Sequence, residues 1–271
     1  MSLLSLFQKK LGVRPIGAPA DSAEIPVLDL EDGPVYAVGD THGSLSLYKE
    51  LENSILRDAA KFSGVATIVL LGDMIDRGPQ TAALIDHLLR PAPAPLRRVC
   101  LRGNHEAMML AYLNTPTANA NWLDFGGAET LASYGISMDP DALRRSPERK
   151  LRQLLAAHIP DSHLSFLRRT LPGLHVGTYL LAHAGADARA PLTAQPWQAL
   201  LWGSEGLIAP NDLTLVHGHV ITPDPEIGAR SIGIDTGAYA TGRLTSLRLI
   251  AGQSPAVLTL KDGSEFKKLS Q

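Results

Sequence analysis

Two rhythms of apolar residues alternate along the first part of this chain, and polar clusters stand where one gives way to the other. Val35-Tyr36-Ala37-Val38 is a short apolar run of the kind that forms a buried strand, and it stops at Gly39-Asp40. Beyond it Ser44 is placed as a helix N-cap, and Leu45, Tyr48, Leu51, Ile55 and Leu56 recur at helical spacing. Val65 to Leu71 is almost continuously apolar, as expected of a strand covered on both faces. Pro79 fits the first turn of a helix over Thr81 to Leu89, which Pro91-Ala92-Pro93-Ala94-Pro95 ends. Arg98-Val99-Cys100-Leu101 opens another strand, and a helix follows over His105 to Leu113. The order is strand, polar end, helix, three times over, and in α/β folds ligands bind at such strand ends.

Thr115 to Gly177 reads as helix and loop and predicts a helical insertion. Strand patterning returns over Thr178 to Ala182, ending at His183, and over Leu213 to Val216, ending at His217-Gly218-His219. Ser231 to Ile234, Leu244 to Ile250 and Ala256 to Leu260 predict a second, antiparallel set of strands. No internal repeat is visible. The economical division is an N-terminal extension over 1–30, one domain over 31–262 with its insertion at about 115–177, and a C-terminal tail over 263–271.

Composition narrows the function classes. With 45% apolar and 19% charged residues among 271, the chain has the balance of a soluble globular protein with a sizeable core. A net charge of -2 gives no support for a nucleic-acid or acidic-membrane partner, and 5% aromatics disfavours a base-stacking surface. No run approaches the ~18 apolar residues of a membrane span. Met1 to Leu11 carries Leu3, Leu4, Leu6, Phe7 and Leu11 near helical spacing, with Lys9 and Lys10 among them. A secretory leader has its positive charge ahead of a longer apolar core, so a cytoplasmic protein with a short N-terminal helix is expected. Cys100 is the sole cysteine, which leaves no disulfide or thiolate zinc site within one chain and makes it a buried bystander.

Three polar segments change the picture: Gly39-Asp40-Thr41-His42-Gly43, Gly72-Asp73-Met74-Ile75-Asp76-Arg77-Gly78 and Gly103-Asn104-His105-Glu106. Asp40 and His42 stand two apart just beyond a strand, so both can turn toward one metal. Asp73 is an ionised donor suited to bridging two cations. Asn104 supplies a neutral oxygen to the second, and His183 and His219, at later strand ends, could complete it. Two carboxylates, one amide and three imidazoles suit Mn, Fe, Zn or Co rather than Ca, with Mn the first expectation. Two metals about 3.5–4 Å apart could activate a bridging hydroxide and neutralise a phosphate. A lone Asp or Asn after a strand is ordinarily a turn residue or helix cap. Five strand ends with metal-binding side chains weigh against coincidence. His217 is left outside the ligand set, and His87, His158, His163 and His175 read as surface or packing residues.

The ordered segments Gly-Asp-Xaa-His-Gly, Gly-Asp-Xaa-Xaa-Asp-Arg-Gly and Gly-Asn-His-Glu, followed by His183-Ala184-Gly185 and Gly218-His219, resemble the phosphoprotein phosphatase family of calcineurin-like metallophosphoesterases. Trp122 to Gly135 and Asp235-Thr236-Gly237-Ala238-Tyr239 resemble its bacterial and phage serine/threonine phosphatase branch. The resemblance implies a four-layer αββα sandwich, two mixed sheets face to face with helices outside. It implies Asp40, His42 and Asp73 at the first metal, and Asp73, Asn104, His183 and His219 at the second. It also implies direct attack on phosphorus by a metal-bound hydroxide. His105 would protonate the leaving alkoxide, Asp76 would orient that imidazole, and Arg77 would grip the phosphate oxygens. Arg102, just before Gly103, is a further candidate for substrate binding, with a structural role equally open.

One departure matters. Bacterial members carry a second phosphate-clamping arginine after a tryptophan, and the corresponding place in Leu201-Trp202-Gly203-Ser204-Glu205 is Ser204. Arg189 or Arg230 could reach in from elsewhere. The resemblance makes the substrate a phosphorylated protein or a small phosphoester. Phosphoserine or phosphothreonine is the first reading, and a symmetrical bis(5'-nucleosyl)-tetraphosphatase is the alternative within the enzyme class. A phosphate-binding pseudo-phosphatase is the alternative outside it.

Overall fold

A computed structural model of the chain describes residues 22–203, 208–260 and 267–268. In chain order its first strands are β1 (Ser22–Ala23), β2 (Val27–Leu28), β3 (Val35–Val38), β4 (Ala66–Leu70), β5 (Leu96–Cys100), β6 (Leu174–Val176) and β7 (Tyr179–Leu181). After these come β8 (Gln195–Pro196), β9 (Thr214–His217), β10 (Glu226–Ile227), β11 (Ser231–Gly233), β12 (Thr245–Leu249), β13 (Ala256–Thr259) and β14 (Lys267–Lys268). One six-stranded sheet runs β14-β13-β12-β3-β4-β5, a second runs β10-β11-β9-β7-β6-β2, and β1 pairs with β8 apart from both.

The period of two along the strands builds the layers. Val35, Ala37, Val69 and Leu71 face inward to meet Leu181, Val216 and Ile232 of the other sheet, forming one buried cluster between the sheets. Their neighbours Tyr36, Val38, Ile68 and Leu70 face outward, where Tyr48, Leu51 and Ile55 of the Leu45–Ala59 helix and Leu84 and Ile85 of the Thr81–Leu89 helix cover them. On the far side Leu180 and Leu215 pack against Leu200 of the Trp197–Trp202 helix. Helix, sheet, sheet, helix is therefore the order of layers, as the sequence resemblance implied. The continuous apolar runs at β3 and β4 follow from burial on both faces.

The insertion is helical, through Ala120–Phe125, Gly127–Ser133, Pro140–Arg145, Glu148–His158 and Asp161–Arg168. It ends earlier than expected, because β6 belongs to the second sheet. The strand grouping needs a larger correction. β12 and β13 are antiparallel as expected, but β12 pairs with β3 and so joins the first sheet. β11 is parallel to β9, which is parallel to β7. Strand pairing is decided by chain reversal over long distances, which period-2 patterning does not carry. The boundaries shift too, since β1 and β2 lie within the expected extension and pair with β8 and β6, and β14 of the tail pairs with β13. Pro79 precedes the helix, whose N-cap is Gln80. The expected helix over Met1 to Leu11 lies outside the described residues. Among the described residues no helix is long and apolar enough to cross a membrane.

Candidate metal centre

β3, β4 and β5 run parallel as neighbours, so their carboxyl ends lie side by side and bring Asp40, Asp73 and Asn104 to one rim. β7 and β9 are also parallel, which sets His183 and His219 together. The segments beyond these ends turn sharply. His42, Asp73, Asp76, Arg77 and His219 all adopt positive φ, between 40° and 69°. Such backbone is costly for residues with a Cβ, and it clusters where the surroundings hold it for a purpose. Gly218 is required by crowding rather than by φ, because a Cβ there would strike the Asp40 carboxylate.

The donor atoms converge. His42, Asp73 and His105 form one group, and Asp73, His183 and His219 another, with the ligand atoms in each within 4.8 Å of one another. Asp73 thus belongs to both. Asn104 Oδ1 stands 2.8 Å from His183 Nε2 and 3.0 Å from His219 Nδ1. His42 Nδ1 donates to the Ile75 carbonyl at 2.7 Å and His183 Nδ1 to the Leu71 carbonyl at 3.1 Å. Those bonds fix the tautomers, so each Nε2 presents a lone pair to the cluster, the arrangement seen in metal-binding imidazoles. Asp40 lies outside the two tight groups. Its Oδ2 accepts from the His219 backbone N–H at 3.0 Å, and its buried Oδ1 accepts no hydrogen bond from the described residues.

Electrostatics agree. Burial drives the imidazoles of His42 and His219 down to about 3, so both are neutral and free to ligate at pH 7. Burial followed by repulsion from Asp235 and Asp73 pushes Asp40 well above the carboxylate range. Burial and Asp73 raise Glu106 to about 7. Burial pulls Asp73 upward too, but the imidazoles of His183, His105, His42 and His219 outweigh it and hold it low. Carboxylates crowded in this way, with lone pairs facing lone pairs, fit a pair of divalent cations. Arg77 supplies positive charge at the edge, with Nη1 3.1 Å from His42 Nε2 and Nη2 3.2 Å from His105 Nε2. Its guanidinium also lies over the ring of Tyr239 at 5.0 Å.

Behind His105 stands a buried carboxylate. Asp76 Oδ2 accepts from His105 Nδ1 at 2.7 Å and from Trp122 Nε1 at 2.7 Å, and Oδ1 accepts from Thr130 Oγ1 at 2.7 Å. Burial alone would lower the His105 imidazole, but Asp73 and the bond to Asp76 hold it above its ordinary range. When it carries a proton on Nε2, an imidazole so placed can donate it toward the cluster.

Every expected ligand stands at this rim, but Arg102 does not join it. Its Nε donates to Thr170 Oγ1 at 3.1 Å, its Nη2 to the Arg168 carbonyl at 2.8 Å, and its guanidinium lies over Trp197 at 5.0 Å. The expectation of a substrate-binding role is corrected: Arg102 ties the end of the Asp161–Arg168 helix to the sheet. His217 bonds its own loop and Ser231, consistent with its exclusion. Arg230 is engaged by Asp212, and Arg189 pairs with Asp187 at the surface. Ser204 lies outside the described residues. The sequence patterns assign no role to Glu106, Trp122 or Thr130. Glu106 accepts from the backbone N–H groups of Asp73, Met74 and Gly103 at 2.7–2.9 Å, and so fixes the loop that carries Asp73. A Glu closing Gly-Asn-His-Glu, at the third position of a helix, was the signal available for it.

Residues 33–248 match the calcineurin-like phosphoesterase family. The chain belongs to it. This calcineurin-like phosphoesterase is similar to serine/threonine-protein phosphatase 2 of Escherichia coli K12, at 25% identity over 220 residues, which covers 79% of this chain and 92% of that protein. It is also similar to an asymmetrical bis(5'-nucleosyl)-tetraphosphatase, PrpE, of Bacillus velezensis, at 23% identity over 254 residues, covering 85% and 96%. Among solved structures, the cold-active protein-tyrosine phosphatase of a psychrophilic Shewanella superposes with a TM-score of 0.60 at 15% identity, covering 94% of this chain and 85% of that one. That likeness bears on the fold. The phosphoesterase is thus a metal-dependent hydrolase, as its sequence segments implied.

Proposed function

We propose that this phosphoesterase hydrolyses phosphomonoesters with two divalent cations, manganese first among them, and that its substrates are phosphoserine and phosphothreonine in proteins. The observation that carries the chemistry is the His105–Asp76 pair at 2.7 Å, set against Arg77 beside the ligand cluster. Asp40, His42 and Asp73 would hold one cation, and Asp73, Asn104, His183 and His219 the other. Bound there, the cations supply an activated water and neutralise phosphate charge. The chain's own residues do the rest. Arg77 binds phosphate oxygens through its planar fork. His105 gives its Nε2 proton to the leaving oxygen, while Asp76 keeps Nδ1 protonated and the ring in place. The similarity to serine/threonine-protein phosphatase 2 supports a protein substrate.

Similarity to the tetraphosphatase favours a second reading, a dinucleoside polyphosphate as substrate. Parallel assays with Mn on a phosphoserine peptide and on diadenosine tetraphosphate separate the two. Preference for the peptide is expected, and a clear preference for the dinucleotide overturns the protein-phosphatase reading. Failure to turn over either, with two metals bound, would favour a pseudo-phosphatase.

A further inference from the structure

Asp235 has no role so far, yet it is 1% exposed and lies against Asp40, itself 1% exposed. The contact is built into the backbones of the two sheets. A Cβ on Gly39 would strike the Ile234 carbonyl and would lie 3.4 Å from the Asp235 Cα, so the turns leaving β3 and β11 pass at the closest approach that glycine allows. The two carboxylates are near enough that the charge of Asp235, after burial, helps push the Asp40 carboxyl upward. Each has one oxygen satisfied: Asp235 Oδ1 accepts from Gly237 N–H at 2.9 Å, and Asp40 Oδ2 from His219 N–H at 3.0 Å. The other two, Asp40 Oδ1 and Asp235 Oδ2, are buried and accept no hydrogen bond from the described residues. Two buried carboxylate oxygens without a donor, on side chains this close, are untenable as a pair of anions in a water-poor interior unless a cation or a proton joins them.

We infer that Asp235 is an additional anionic member of the first cation position, where it and Asp40 share the charge of one divalent ion. This rests on the two-cation reading above. Asp235 would raise the affinity of that position and fix the direction of Asp40, while its other oxygen holds the Gly237 turn. The reason it ends a strand in the second sheet, opposite β3, is then plain: the first position is assembled from both sheets.

The test is calorimetric titration of Mn into the metal-stripped full chain. The wild type should bind two equivalents, and if it binds none, the two-cation reading itself fails. Asp235→Asn keeps an acceptor for Gly237 and removes the charge. One equivalent should weaken about 10- to 100-fold while the other is unchanged, the size of effect found for groups that support metal ligands. Asp40→Asn should weaken the same equivalent, and the double variant should cost less than the sum of the two, as expected for groups acting on one ion. Two unchanged equivalents would mean that a shared proton, rather than the metal, joins the pair, and would overturn the inference. Weakening of both equivalents together with a lower Tm of the metal-free protein would assign Asp235 a structural role and overturn it equally. Should the Asn variant not fold, Asp235→Ser, whose hydroxyl can still accept from Gly237, carries the same expectations.

Discussion

Trp122 Nε1 donates to Asp76 Oδ2 at 2.7 Å, the same oxygen that receives His105 Nδ1. A residue of the helical insertion therefore orients the carboxylate that orients the proposed acid. Trp122 is itself 1% exposed and packs its ring 4.9 Å from that of Tyr112, so the donor cannot drift. Trp122→Phe keeps the ring and removes the N–H. A hydrogen bond to a charged group contributes about 1.5–3 kcal/mol, so kcat should fall roughly ten- to a hundredfold. Mn binding, measured by calorimetry, should be unchanged, and a variant with wild-type kcat would show that Asp76 needs no help from the insertion.

His105→Ala should separate acid from ligand. Loss of general-acid assistance is expected to cost about 10²–10⁴ in kcat on an alkyl phosphate. On para-nitrophenyl phosphate the loss should be smaller, because its leaving phenolate needs less protonation. Metal content by atomic absorption should stay at the wild-type level. A variant that loses its metals would show that His105, which lies within the His42–Asp73 group, is a ligand after all.

Because Asp73 belongs to both donor groups, its loss should touch both cations. Chelator-stripped wild type should be inactive, and Mn should restore para-nitrophenyl phosphate hydrolysis saturably. Asp73→Asn should not be restored at the same Mn concentration. Restoration of the variant along the wild-type curve would remove Asp73 from the site.

Stability should depend on pH through a pair outside the candidate metal centre. Arg98 forks onto Glu52, with Nε 2.6 Å from Oε1 and Nη2 2.8 Å from Oε2, and both side chains are 6% exposed. Arg98→Ala leaves the carboxylate buried without its partner and should cost about 3–5 kcal/mol in chemical denaturation. Burial raises the Glu52 carboxyl, but its bonds to Arg98 and His87 outweigh this and hold it below the ordinary 4.5. A group held low in the folded state stabilises it above its unfolded value and loses that contribution as pH falls through the folded one. The Tm of the wild type should therefore fall more steeply below pH 4.5 than that of Glu52→Gln. Parallel acid limbs would show that the pair is neutral in its effect.

Much of the candidate site could be read along the chain because each expected ligand announces itself locally. Asp40, Asp73 and Asn104 each follow a run whose apolar pattern ends at glycine, and a strand that ends there must leave its next polar side chain at the sheet edge. The layers were legible for the same reason, since unbroken apolar strands such as β4 need cover on both faces. These are short-range rules, acting over a few residues.

What the chain could not show by itself is held together over long distances. Asp76 meets Trp122 and Thr130 across 46 and 54 residues, and nothing local to any of the three marks the others as partners. Arg102 resembled a substrate-binding residue beside Gly103, but only the placement of the Asp161–Arg168 helix decides that its guanidinium turns to carbonyls there. Asp235 carried no role of its own in the sequence, and only the close passage of the two sheets brings it against Asp40. Local sequence determined the strand ends and the chemistry they present. Tertiary packing decided which buried charges face one another, because the cost of an unpaired charge depends on neighbours that only the folded chain supplies.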